Sequence, residues 1–122
     1  MPQAKNPNHH RVDYVEFPAA ATVPVKQFYS SIFGWKFEDY GPGYAAFHDG
    51  RLNGGFDTEA SRTTTGPSAL VVIYSENLEA TEHAVREAGG TITRPIFNFP
   101  GGRRFHFHDP SGNELAVWSD NL

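Results

Sequence analysis

An internal echo constrains this chain more than any other feature. Phe47-His48-Asp49 recurs as Phe107-His108-Asp109, sixty positions later. The hydrophobic patterning around the two copies repeats in the same order, and agreement of element order with local residues is the mark of a duplicated unit. In the first copy, Val12 to Phe17 reads as a strand with apolar Val12, Val15 and Phe17. Thr22-Val23-Pro24 reads as a helix start, since proline is tolerated in the first turn. Val25, Phe28, Tyr29 and Ile32 then form one helical stripe that ends at Gly34. Trp35 to Tyr40, Tyr44 to His48 and Leu52 to Phe56 read as three strands, divided by Gly41-Pro42-Gly43 and Asp49-Gly50.

Residues 58–67 are rich in Thr, Ser and Gly and form the only linker-like stretch. The order then repeats. Ala69 to Tyr74 reads as a buried strand, with Asn77 as helix N-cap. Leu78, Thr81, Val85 and Ala88 make the second stripe, with Glu79 and Glu82 early and Arg86 late, as the helix dipole favours. Gly89-Gly90 stops it. Thr91 to Phe99, Arg103 to His108 and Glu114 to Trp118 complete the second set of strands. Neither half alone can hide its sheet face, so both are expected to fold together. The expected organisation is a flexible N-terminal arm, residues 1–11, followed by one domain, residues 12–122. Its modules run from about 12 to 57 and from about 68 to 119. His9-His10 lies in the arm. Neighbours on a strand point to opposite faces, so the pair is read as solvated and not as a metal site.

Composition narrows the function. Ten basic against fourteen acidic residues leave a formal charge of −4, and the pI is about 5.8. A general nucleic-acid or anionic-membrane binder needs a basic footprint. The absence of cysteine excludes disulfides, thiolate metal sites and cysteine nucleophiles, and it fits a reducing cytoplasm. The longest strongly apolar run, Ala69 to Tyr74, is too short to span a bilayer, and no signal-peptide core follows Met1. A soluble cytoplasmic protein is therefore expected. Arg104-Phe105-His106-Phe107 faintly resembles the aromatic strand of an RNA-binding domain, but the acidic balance and the second βαβββ set argue against it. No nucleophile elbow, P-loop or dinucleotide fingerprint is present.

The two βαβββ halves, Phe28-Tyr29 followed by Phe33-Gly34-Trp35, and the turn Asp109-Pro110-Ser111-Gly112-Asn113 together resemble the vicinal-oxygen-chelate superfamily. This is the glyoxalase, bleomycin-resistance and extradiol-dioxygenase group, and the resemblance covers residues 12–119. It implies an α+β fold: two tandem βαβββ modules forming a curved mixed sheet around a pocket, with helices on the outer face. It also implies a homodimer. Enzymes of the group hold a divalent metal with four side chains, from the first and last strands of each module. The matching positions here are Tyr14, Leu70, Ala116 and a fourth near Asn53. Leucine and alanine cannot ligate a cation, and Tyr and Asn are unusual ligands for these metals, so the standard quartet is absent.

Strand alternation sorts the remaining polar residues. If Phe105, Phe107, Leu115 and Val117 face the helices, then Arg104, His106, His108, Glu114, Ala116 and Trp118 face the pocket. Tyr14, Glu16 and His48 join them, and Tyr74 can. A relocated divalent metal on His106, His108 and Glu16 or Glu114 is one reading, because two imidazoles and a carboxylate form a common catalytic set. Metal-free acid–base chemistry by His106 or His108, oriented by Glu16 or Glu114, is another. Tyr14, His48, Tyr74, Arg104 and Trp118 are candidate ligand-binding residues. Pro100-Gly101-Gly102-Arg103-Arg104 reads first as a turn with one Arg on each face and second as an anion site. Trp35 and Trp118 can stack on a ligand or pack in the core. The leading expectation is a binder of a small organic ligand without a cofactor. The alternatives are a glyoxalase-like lyase, isomerase or dioxygenase, and a non-catalytic dimeric interaction module.

Overall fold

The computed structural model describes residues 5–60 and 69–121. Most of the linker expected over 58–67 lies outside the described residues. Ten elements follow in the expected order: β1 (Val12–Pro18), α1 (Thr22–Phe33), β2 (Lys36–Asp39), β3 (Tyr44–His48), β4 (Asn53–Asp57), β5 (Leu70–Tyr74), α2 (Leu78–Glu87), β6 (Thr91–Phe99), β7 (Gly102–His108) and β8 (Glu114–Ser119). They fall into two compact units. One runs from Tyr14 to Leu70, and the other joins the residues up to Asp13 with Val71 onwards. Among the described residues no helix is long and apolar enough to cross a membrane.

In the first unit the strands lie in the order β2-β3-β4-β1, with β1 parallel to β4 and the other pairs antiparallel. Phe47 and Phe56 are buried beneath α1 with Phe17, Val25, Tyr29, Trp35 and Phe37 packed around them. Trp35 stacks on Phe47 and on Tyr29, with ring centroids 4.4 and 4.7 Å apart, so it belongs to this core. Gly34 ends α1 at φ 72°, a left-handed turn that suits glycine. Only part of the expected helical stripe is covered. Val25 and Tyr29 pack inward, whereas Phe28 and Ile32 remain 56% and 62% exposed. The i and i+4 positions stack in one line and face the sheet, while the i+3 positions are carried to its side.

In the second unit the order is β5-β8-β7-β6, with β5 parallel to β8. Leu78, Phe105 and Val117 are fully buried, and Ile73, Val85, Ile92, Ile96 and Phe107 pack against them. Asn77 caps α2 by accepting from the Ala80 N–H at 3.1 Å. Arg103 reaches back to the start of this helix and pairs with Glu79. Strand β6 is irregular. Its register against β7 slips between Ile92 and Arg94 and again between Arg94 and Phe97.

Residues 5–11 are held by specific hydrogen bonds. The Glu76 carboxylate accepts from the Lys5 and Asn6 amides, and the His10 amide donates to the Tyr74 carbonyl at 2.7 Å. The strand argument does not apply to His9 and His10, because they sit in a turn with His10 at φ 61°. Their rings stack with centroids 3.7 Å apart. His9 Nδ1 accepts from the Glu76 amide, and His10 Nε2 meets the Thr81 hydroxyl.

Gly54 marks a close approach between strands of the first unit. A Cβ there would lie 2.2 Å from the Val15 carbonyl oxygen and 2.3 Å from the Phe47 ring. Gly54→Ala is expected to lower stability by about 1–3 kcal/mol through overpacking, read as a shift in the urea midpoint at unchanged slope.

Candidate functional site

In each unit the strands turn their apolar residues to that unit's helix, so alternation leaves a polar opposite face. In the first unit this face carries Tyr14 and Glu16 on β1, Tyr44 and His48 on β3, and Asn53 and Gly55 on β4. Glu16 is only 3% exposed. The Tyr44 hydroxyl donates to Glu16 Oε2 at 3.0 Å and lies 2.6 Å from the Tyr14 hydroxyl. Burial raises the Tyr44 phenol far above its ordinary value, and the Glu16 charge adds to this. Tyr44 therefore stays protonated and acts as a fixed donor. Gly55 makes room for the trio: a Cβ there would lie 2.0 Å from the Tyr44 hydroxyl and 2.6 Å from that of Tyr14. His48 is exposed at the strand end, where its Nδ1 meets Asn53 Oδ1 at 2.7 Å.

The second unit holds a different cluster. His106 is 4% exposed, and its Nδ1 lies 3.0 Å from Glu114 Oε2. Burial pushes this imidazole below its ordinary value near 6.5. The Glu114 hydrogen bond pulls it back up, and the Arg104 and Arg94 cations push it down. A neutral ring facing a carboxylate donates from Nδ1, which leaves a lone pair on Nε2. That nitrogen is buried and has no hydrogen-bond partner among the described residues. Phe97 lies 5.8 Å from the His106 ring, and the Arg94 guanidinium covers Phe97 at 3.7 Å. Arg104 lies 5.6 Å from Phe97 and 5.7 Å from Phe99.

Trp118 stands beside this cluster. It packs edge-on against Tyr74 with centroids 5.3 Å apart, and its indole N–H donates to Asp13 Oδ2 at 2.9 Å. The Tyr74 hydroxyl donates to Asp120 at 2.6 Å, and that hydrogen bond pushes its pKa up to about 12. An open cleft of about 470 Å³ lies where Tyr74, Glu76 and Asp120 meet the arm, and its lining does not include His106 or Glu114.

The structure brings His106 and Glu114 together, but His108 is exposed on the last residue of β7. Glu16 is engaged by Tyr44 in the first unit. Among the described residues no group of three or more His, Asp or Glu is placed to hold a metal. The fourth quartet position also moves. Val72 faces Ala116 two residues after Leu70, and the same step after Tyr14 reaches Glu16 opposite Gly55. The position is therefore Gly55, not Asn53, because parallel register counts along the strands and ignores the hairpin turns. Tyr14, Gly55 and the fully buried Leu70 and Ala116 do not fit a divalent cation.

Comparison with known proteins agrees with this architecture. The family model described as Glyoxalase/Bleomycin resistance protein/Dioxygenase superfamily matches residues 11–117. The chain belongs to that superfamily. Over 130 residues it is 24% identical to CFP32 of Mycobacterium tuberculosis, which bears the provisional name of a glyoxylase. The match covers 99% of this chain and 50% of CFP32, so the chain spans about half the length of the curated relatives it matches. Among solved structures, the Mn(II)-bound glyoxalase of Novosphingobium aromaticivorans aligns with TM-score 0.69 and 20% identity, over 93% of this chain and 40% of that one. Methylmalonyl-CoA epimerase of Mycobacterium tuberculosis aligns with TM-score 0.64 and 15% identity, over 88% and 86%. These likenesses are likenesses of fold. Glyoxalase-superfamily membership therefore fixes the scaffold here.

Sequence reasoning missed Tyr44, Arg94 and Phe97. Tyr44 was within reach, since stepping back by two from His48 passes Ala46 and arrives at it. Arg94 and Phe97 were not, because bulges break the alternation of β6.

The His106 ring is expected to titrate below pH 6.5 by NMR, and lower still in Glu114→Gln, which removes the contact that raises it. Its folded pKa is depressed, so the unfolded chain takes the proton first. Stability should fall as pH drops through about 6.5, and His106→Gln should flatten that loss. Tyr44→Phe is expected to cost about 1.5–3 kcal/mol in urea unfolding, because it removes a hydrogen bond to a buried carboxylate.

Proposed function

We propose that this chain binds a small organic ligand on the polar face of its second unit, without a metal at the superfamily's usual positions. One observation carries the reading: the buried His106 Nε2 has no hydrogen-bond partner among the described residues, and it stands near aromatic rings and the Arg94 and Arg104 side chains. Leaving such a nitrogen unmatched costs about 1–3 kcal/mol, and sites of function are where folds carry that cost. Trp118 and Tyr74 extend the surface beside it. Tyr14 and His48 belong to the ligand-facing set of the first unit, where Tyr14 is oriented by Tyr44. The working assembly is a cytoplasmic homodimer, which sedimentation equilibrium would test.

The His106–Glu114 hydrogen bond favours a second reading, metal-free acid–base chemistry. Glu114 holds the tautomer, and Nε2 takes a proton from a carbon or hydroxyl acid brought against it. Binder and enzyme separate in one experiment. Fragments are screened by ¹⁵N NMR for perturbation of the His106 ring and the Trp118 indole, and each hit is incubated with protein in D₂O. Binding is expected to shift both signals, with the fragment recovered unchanged. Deuterium incorporation that His106→Gln abolishes would assign the enzyme. Fragments that never shift either signal would remove both readings.

A further inference from the structure

Residues 5–11 fold back onto the end of β5 and the start of α2, and two imidazoles sit in that contact. His9 Nδ1 accepts from the Glu76 amide at 3.0 Å, and His10 Nε2 lies 3.0 Å from the Thr81 hydroxyl. Thr81 continues through the Ser75 hydroxyl to the amide of Asn77, the N-cap of α2. The backbone adds two bonds, from the His10 amide to the Tyr74 carbonyl and from the Tyr74 amide to the Arg11 carbonyl. His10 has φ 61°, a left-handed conformation that is uncommon for a residue with a side chain. The two rings stack across this turn with centroids 3.7 Å apart.

Three features of this geometry need neutral rings. A ring nitrogen that accepts an N–H carries no proton, so protonating His9 at Nδ1 removes its bond to Glu76. Two stacked imidazolium ions repel one another. Both rings lie at the N-terminal end of α2, where the helix dipole disfavours cations. Burial holds the His10 imidazole below its ordinary value of 6.5, the His9 ring lowers it further, and Glu76 opposes both. The Glu76 carboxylate also accepts from the Lys5 and Asn6 amides, and Arg11 Nε donates to the Pro7 carbonyl. The other titratable groups on the elements packed here have partners of their own. Tyr74 pairs with Asp120, while Glu79, Glu82 and His83 on α2 pair with Arg103, Arg86 and Glu87.

We infer that residues 5–11 are a pH-released strap, docked by neutral His9 and His10 and freed when these rings take up protons. Lys5, Asn6, Pro7 and Asn8 form one wall of the cleft beside Tyr74, Glu76 and Asp120, so release opens that cleft. The His10 imidazole of the docked strap binds its proton less readily than that of the free strap. Docking is therefore strongest above about pH 6.5 and weakens as pH falls. Each imidazole can weaken the docking equilibrium by up to about tenfold per pH unit.

The test is ¹⁵N NMR of the whole chain from about pH 8 to about pH 5, reading the heteronuclear NOE of residues 5–11 against β7 and β8. At the upper end the strap is expected to be as rigid as the strands. At the lower end its NOE should fall while β7 and β8 stay unchanged, which separates release from unfolding. The His9 and His10 rings should titrate together with that fall. The double variant His9→Gln, His10→Asn should stay docked throughout, because the Gln carbonyl still accepts from Glu76, Asn tolerates the left-handed turn and neither side chain titrates. His106→Gln should leave the transition in place, since that ring lies on β7 and makes no contact in the strap. A strap equally rigid at both ends of the range would overturn the inference, as would one mobile throughout. Ring titration that does not coincide with the loss of NOE would overturn it too. Release of the double variant at the original midpoint would assign the switch to another group, Glu76 first, and remove the histidines from it.

Discussion

Aromatic packing beneath α1 commits one face of the strands in the first unit. Phe17, Phe47 and Phe56 lie within 5.5 to 6.5 Å of one another, and Trp35 and Tyr29 stack outward from them. Because strand residues alternate, this leaves Tyr14, Glu16 and Tyr44 on the other side. Phe105 and Val117 beneath α2 have the same consequence in the second unit, where they leave Arg104, His106, Ala116 and Trp118 opposite the helix. Burial of the apolar face is the main stabilising term, of the order of 1.5–3 kcal/mol per large side chain. The polar faces are tolerated because that term exceeds their cost.

The two polar faces meet that cost differently. Tyr44 answers the Glu16 carboxylate with a hydroxyl that burial keeps protonated, and Gly55 leaves space for the pair. In the second unit Glu114 satisfies one imidazole nitrogen, and burial together with two nearby cations keeps the ring neutral. The scaffold of the superfamily is retained, while the polar groups of this chain lie on β7 and its neighbours.

Much of this was legible in the residues. The order of elements, the Gly34 and Asn77 caps and the helix-facing role of Phe105 and Phe107 follow from period, capping chemistry and parity. The pairing of His106 with Glu114 was open among several partners, since alternation gives a face but no distance. The inward placement of Phe28 and Ile32 was too generous, because a helical stripe shows which residues share a side and not how far the sheet reaches beneath them. The quartet position near Asn53 failed because turn lengths differ between modules, whereas parallel register does not depend on them.

By itself the sequence determined the duplicated βαβββ order and the α+β class. Each depends on local period or on the chemistry of single residues. Only the tertiary structure decided which polar groups meet: Tyr44 with Glu16, Glu114 with His106, and Arg94 with Phe97. Those meetings depend on strand register and on two inserted residues in β6. Register is set by pairing between segments far apart in the chain, and no local pattern contains it.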